Sequence, residues 1–300
     1  MAHIPDGFLS APVLATTTVA SAGALALAAH RSRQQLRDRQ APLLGAATAF
    51  VFAAQMFNFP LGAGTSAHLL GGVLVAAVAG PWVGMLVLFS VILVQALLFQ
   101  DGGVTAIGAN TLNMAVVGAG VGYLLYRWLR LLLGEGLRRR VLAASLAAYV
   151  SAALVGTSVA VELALSGTVP LRPALLAVGG SHLLVGLGEA LLTGGILGMA
   201  ARLRPELIEG APVTRRARRW AFGGLGVALV VAVGAAYGAS TRPDALASAA
   251  GSLGLAAHSG TWRPLAQYSG AGPWGALLGV GVVFVLAWAL FRVSAGRRPA

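Results

Sequence analysis

The chain has no cysteine and no lysine, and little charge of either sign: 10% of its 300 residues are charged, against about a quarter in a soluble domain. Without cysteine there are no disulfides, no zinc–thiolate sites and no thiol nucleophile. So little charge, with 57% hydrophobic residues and a mean hydropathy of +0.81, excludes a soluble domain. The fold class this implies is all-α, a polytopic membrane protein. Other absences concern chemistry. No GxxxxGK[ST] loop is present, so ATP hydrolysis by that route is excluded. There is neither the HExxH helix of a zinc protease nor a GxSxG elbow. The chain does not read as an enzyme, and any uphill work it does needs an energy source in a partner.

What is present begins with arginine. The formal charge of +12 resembles a nucleic-acid signal, but the arginines sit in short patches between apolar runs. That distribution signals membrane topology and attraction to anionic lipid in the bilayer, with no nucleic acid as partner. Apolar runs fall at about 11–30, 41–57, 68–80, 82–99, 104–126, 141–165, 173–200, 220–238 and 274–292. Four arginines follow the first run, five lie in 127–140, six in 202–219 and three in 292–298, against only Arg172, Arg242 and Arg263 in the alternate loops. The bias places the N-terminus outside and the C-terminus in the cytoplasm of a cell inner or plasma membrane. The first run lacks the basic n-region of a signal peptide and is read as a retained helix. The basic stretch 201–219 divides a seven-helix unit, 1–200, from a two-helix segment with an outside loop, 220–300. The run at 68–80 is too short for a ~30 Å core and is broken, tilted or buried in the bundle.

The residues with chemistry to offer start at the N-terminus, MAHIPDGFLS. Removal of Met1 before a small residue leaves Ala2-His3. The α-amine of Ala2, the backbone nitrogen of His3 and its imidazole then close a five- and a six-membered chelate ring in one plane. A fourth nitrogen completes a square-planar set suited to Ni(II) or Cu(II). If Met1 stays, the terminus alone offers four nitrogens. Pro5-Asp6-Gly7 makes a turn and Phe8-Leu9 an apolar anchor, so the terminus is expected to fold back into the bundle. His68 is the natural fourth donor. It is expected at the start of the third helix, capped by Thr65 and Ser66, where the helix dipole keeps imidazole neutral. Asn110 and Asn113, one helical face at i and i+3, are candidates to hydrogen-bond the metal-binding terminus, with Asn58 and Ser66 as further supporting groups. His182 and Glu189, seven apart on one face, are either a polar pair between helices or the core of a rival reading, a membrane-embedded metalloenzyme. Glu162 lies near an interface, where it reaches water.

Several ungapped blocks then stand in order: Ala2-His-Ile-Pro-Asp-Gly-Phe-Leu9, Phe57-Asn-Phe-Pro-Leu61, Gly64-Thr-Ser-Ala-His-Leu-Leu-Gly-Gly72, Gly80-Pro-Trp82, Val94-Gln-Ala-Leu-Leu-Phe-Gln-Asp-Gly-Gly103, Gly108-Ala-Asn-Thr-Leu-Asn-Met114 and His182-Leu-Leu-Val-Gly-Leu-Gly-Glu-Ala190. Over about residues 1–200 the chain resembles the nickel/cobalt S-components of energy-coupling-factor transporters, the CbiM/NikM family. The resemblance implies a seven-helix subunit whose N-terminus inserts into the bundle and holds Ni²⁺ or Co²⁺, as transported substrate rather than cofactor, through Ala2, His3 and His68. It implies a transmembrane coupling subunit and two ATPase subunits as partners. The family often begins Met-His, so Met-Ala-His restores its register only if Met1 is removed. Residues 220–292 resemble the family's small two-helix partner, fused here. Arg242-Pro-Asp-Ala-Leu-Ala247 stands where that partner has Pro-Asp-Gly-Leu-Glu. An S-component for an organic micronutrient is the remaining alternative, and the 7% aromatic content weighs against its cavity.

Overall fold

The computed structural model describes residues 3–35, 41–62, 65–203, 217–240, 242, 245–254 and 268–294. Long apolar runs leave their backbone no solvent to bond, so they close their hydrogen bonds internally as helices. Among the described residues there are ten: α1 (Ala11–Gln35), α2 (Ala41–Met56), α3 (Gly72–Ala79), α4 (Pro81–Phe99), α5 (Ile107–Leu133), α6 (Leu137–Leu165), α7 (Leu171–Leu203), α8 (Ala217–Gly238), α9 (Ala245–Ser252) and α10 (Tyr268–Ser294). Seven are long and apolar enough to cross a membrane. The chain is an all-α integral membrane protein, with one small exception: β1 (Phe59–Gly62) and β2 (Thr65–Ala67) pair as an antiparallel hairpin.

That exception corrects the sequence reading of the third helix. Thr65 and Ser66 belong to β2, and the residue at the cap of the third helix is Gly71, with no side-chain cap bond. His68, Leu69 and Leu70 are irregular, and α3 starts only at Gly72, after Gly71 at φ 74°. Eight residues at ~1.5 Å each make about 12 Å, well short of the ~30 Å hydrocarbon core. Of the three possibilities for this run, α3 takes burial inside the bundle. Val73, Leu74, Val75 and Ala76 are buried, and a Cβ on Gly72 would lie 2.7 Å from the carbonyl carbon of Gly118 on α5. Gly80, at φ 86°, breaks the chain out of α3, and Pro81 opens α4 at the position where a missing N–H costs nothing.

Helix α4 is central and mostly buried, whereas α5, α7, α8 and α10 turn leucines, valines and aromatics outward, as a lipid-facing shell does. Three stretches widen into π-helix: Gln95–Phe99 ending α4, Thr111–Val121 within α5 and Leu175–Gly179 within α7. Helix α2, with 16 residues, is covered by the C-terminal helices. Phe284 of α10 sits against Gly45, and Gly279 of α10 makes room for the rings of Phe52 and Phe99. The outside loop expected at 239–273 includes the short helix α9, whose Leu246, Ala249 and Ala250 are buried. Most of the basic stretch 201–219, and Pro243, Asp244, His258 and Trp262, lie outside the described residues.

Candidate metal centre

The first described residues are inside the protein, as the turn and anchor in the sequence led us to expect. Ile4 is fully buried, and Phe8 and Leu9 nearly so. The segment is held by polar contacts along its length. Ile4 N–H donates to Asn110 Oδ1 at 2.7 Å, and Asn110 Nδ2 returns a bond to Ile4 O at 3.1 Å. Gly103 N–H also donates to Ile4 O, at 2.9 Å. The carboxylate of Asp6 accepts from the backbone N–H of Thr105 at 2.8 Å and of Val104 at 3.2 Å, and from the Thr105 hydroxyl. Thr168 Oγ1 donates to Phe8 O at 2.6 Å. The approach to the loop after α4 is so close that a Cβ on Gly103 would fall 2.4 Å from Asp6 N.

This docking brings His3 to His68. Their rings lie 5.5 Å apart, edge to face at 68°, and both are buried, at 6% and 1% exposure. His3 Nδ1 lies 2.8 Å from Asp101 Oδ1 and 3.0 Å from Asp101 O. His68 Nδ1 lies 2.7 Å from Leu69 O. A carbonyl oxygen only accepts, so each Nδ1 carries a proton, and in a neutral ring Nε2 is the acceptor. Neither Nε2 has a hydrogen-bond partner, and neither does Asp101 Oδ2. Two unpaired buried acceptors side by side are costly unless something electrophilic completes them. Burial, and then the neighbouring His3, push the pKa of His68 down to about 3, so its ring is neutral and able to ligate at neutral pH. For Asp101 burial acts upward, but the charge and hydrogen bond of His3 outweigh it and hold the carboxyl below its ordinary value.

Ala2 lies outside the described residues. Among the described residues, no three His, Asp or Glu side chains are grouped to hold a metal, so a nitrogen set here draws on backbone atoms beyond the two imidazoles. The chelate expected from the sequence also uses His3 Nδ1, the nitrogen that here faces Asp101. In that chelate His3 Nδ1 would hold the metal in place of its bond to Asp101.

The other residues singled out in the sequence separate. Asn110 does support the terminus. Asn113 does not: its Nδ2 donates to Glu162 Oε2 at 2.8 Å. Glu162 is buried in that contact rather than reaching water. Ser66 Oγ donates to Arg242 O at 2.8 Å, and Asn58 O accepts from Ser240 N–H at 2.7 Å. Both therefore tie the hairpin to the segment after α8. The hydrogen bonds of His182 and Glu189 run to different backbone groups. His182 Nδ1 donates to Val178 O at 2.8 Å, and the carboxylate of Glu189 accepts from Leu70 N–H and, at 3.3 Å, Gly71 N–H. Two contributors had no local signal in the sequence, Asp101 behind His3 and Gln55 behind His68; Glu189 was singled out there with His182 but lies behind His68 instead. Gln55 Nε2 donates to Leu70 O at 2.8 Å.

A family model described as the cobalt uptake substrate-specific transmembrane region, CbiM, matches residues 3–207. The chain belongs to the CbiM family. This CbiM-family protein is 34% identical over 292 residues to the fused nickel transport protein NikMN of Rhodobacter capsulatus, covering 89% of this chain and 83% of the relative. It is 32% identical over 224 residues to the cobalt transport protein CbiM of Sorangium cellulosum, covering 72% of this chain and 98% of the relative. Two solved structures, a truncated transition metal transporter and a transition metal transporter, align with TM-scores of 0.59 and 0.61 at 32% and 30% identity. They cover 70% and 74% of this chain and 100% and 98% of their own. The family is one of transport proteins rather than enzymes, and its members take metal up through a membrane.

Proposed function

We propose that the protein is the substrate-binding S-component of a nickel/cobalt energy-coupling-factor transporter. It captures Ni²⁺ or Co²⁺ on the outer face and delivers it to the cytoplasm. The observation that carries the reading is the pair of buried imidazoles, His3 and His68, which the docked terminus brings to 5.5 Å, with His68 Nε2 free of any hydrogen-bond partner. Nitrogen donors of this kind suit late first-row divalent metals, which are the substrates, not resident cofactors. The set is completed by the Ala2 amine and the His3 amide once Met1 is removed. Asn110 supports it by holding Ile4. The arginine bias places the N-terminus outside and the C-terminus in the cytoplasm.

Having no phosphate-binding loop of its own, this subunit works with a transmembrane coupling subunit and two ATPase subunits. Residues 1–200 form the metal-binding unit, 201–219 a cytoplasmic linker, and 220–300 a fused counterpart of the small two-helix partner. Similarity to the fused Rhodobacter protein across 89% of the chain supports the fusion. Replacing His3 or His68 with alanine is expected to abolish stoichiometric Ni²⁺ and Co²⁺ binding by the purified protein, measured by calorimetry. Unchanged binding in both variants would remove the site, and competition between the two metals ranks them.

A further inference from the structure

Glu189 has a task that the metal-binding reading leaves unassigned. It is a carboxylate 3% exposed, set in the middle of a long apolar helix, where such a group is costly unless it is used. Both its oxygens accept backbone N–H bonds, from Leu70 and from Gly71, the residues two and three places after His68. The residue before it on α7 is equally committed. A Cβ on Gly188 would fall 2.7 Å from Cζ of Phe59, so the ring of Phe59 lies on the bare backbone of α7. Consecutive residues of one helix therefore seat both ends of the 59–71 segment: β1 at its start and the His68–Gly71 stretch at its end. Gln55 of α2 holds the same stretch from the other side through Leu70 O. Within it, His68 Nδ1 is tied to Leu69 O, so the ring's direction follows from where the backbone of 69–71 is fixed.

We infer that Glu189 is the positioning residue of the metal site: by gripping the backbone after His68 it sets where His68 Nε2 points. A carboxyl group suits the place, since each of its two oxygens meets one of two convergent N–H donors, whereas the NH₂ of an amide in the same position would face one of them. The inference rests on His68 being a ligand.

The test compares Glu189→Gln, Glu189→Ala, Gly188→Leu and His68→Ala in the full chain, with Ni²⁺ alone as probe. Three readings are taken: affinity by calorimetry, the visible d–d absorption of the bound metal, and the thermal midpoint of the metal-free protein. Glu189→Gln is expected to weaken Ni²⁺ binding by about 10- to 100-fold, the range for groups that orient a ligand, to shift the absorption band, and to leave the metal-free midpoint within a few degrees of wild type. Gly188→Leu, which displaces Phe59, is expected to weaken binding in the same direction. Amide exchange at Leu70 and Gly71 provides a measure independent of metal, and is expected to speed up in both Glu189 variants. Should Glu189→Ala fail to fold, Glu189→Gln and Gly188→Leu carry the test. If His68→Ala abolishes binding while Glu189→Gln binds with unchanged affinity and an unchanged spectrum, the positioning role is overturned and the site survives. If His68→Ala binds normally, the site and the inference fall together.

Discussion

His68 shows how a single environment leaves a residue able to ligate. Its Nδ1 is saturated by Leu69 O, its pKa is pushed down to about 3 by burial and then by His3, and only Nε2 is left to react. The shift has a consequence for stability. Above the ordinary histidine value near 6.5 both folded and unfolded forms are neutral and nothing is lost. Below it the unfolded chain takes up a proton that the buried ring refuses, so stability falls as pH drops from about 6.5 towards 3. At pH 5 the loss from this group reaches about 2 kcal/mol. Asp101, held below its ordinary value, acts in the same sense further into acid. The thermal midpoint of the metal-free protein is expected to fall between pH 7 and pH 5, and His68→Gln to flatten that slope. A wild-type midpoint independent of pH in this window would contradict the assignment.

At the scale of elements, the decisive unit is the segment of residues 3–9, docked by Asn110 through two hydrogen bonds to Ile4. Asn110→Ala leaves the buried Ile4 N–H unpaired, while Ile4 O keeps its bond from Gly103 N–H, at a cost of about 1–3 kcal/mol. Ni²⁺ affinity is expected to drop about tenfold or more, with faster amide exchange over 3–9 as the companion measurement. This element was legible in the sequence, because a Pro–Gly turn followed by two large apolar residues has few uses at a chain end. Asn113 was misjudged for a specific reason. The rule that i and i+3 share a face assumes α-helical winding, and Thr111–Val121 is π-helical. The wider turn carries Asn113 away from Ile4 and onto Glu162. The hairpin was missed because Thr-Ser before a helical run looks like a cap, and only pairing with Phe59–Gly62 reveals a strand. Asp101 and Glu189 meet their partners across 98 and 119 residues, a distance at which local spacing carries no information.

For the whole molecule, apolar runs and their lengths were enough to give the fold class, because the bilayer permits few alternatives. They did not say where the last helices go. The answer, against α2 with Phe284 on Gly45 and Gly279 on Phe52, depends on small residues meeting rings, which hydropathy does not register. Orientation is testable with unusual ease, since the chain has no cysteine of its own. Single replacements Ser252→Cys and Arg139→Cys, both at exposed positions, are expected to react with a membrane-impermeant maleimide only from outside and only from inside, respectively. The reverse pattern would invert the topology.

The bond between His3 Nδ1 and Asp101 bears on affinity. In the proposed chelate that nitrogen exchanges its carboxylate partner for the metal, so carboxylate and ion compete for one atom. A tight contact in the metal-free protein is then a handicap for the ion, offset only by what the metal gains from the full nitrogen set.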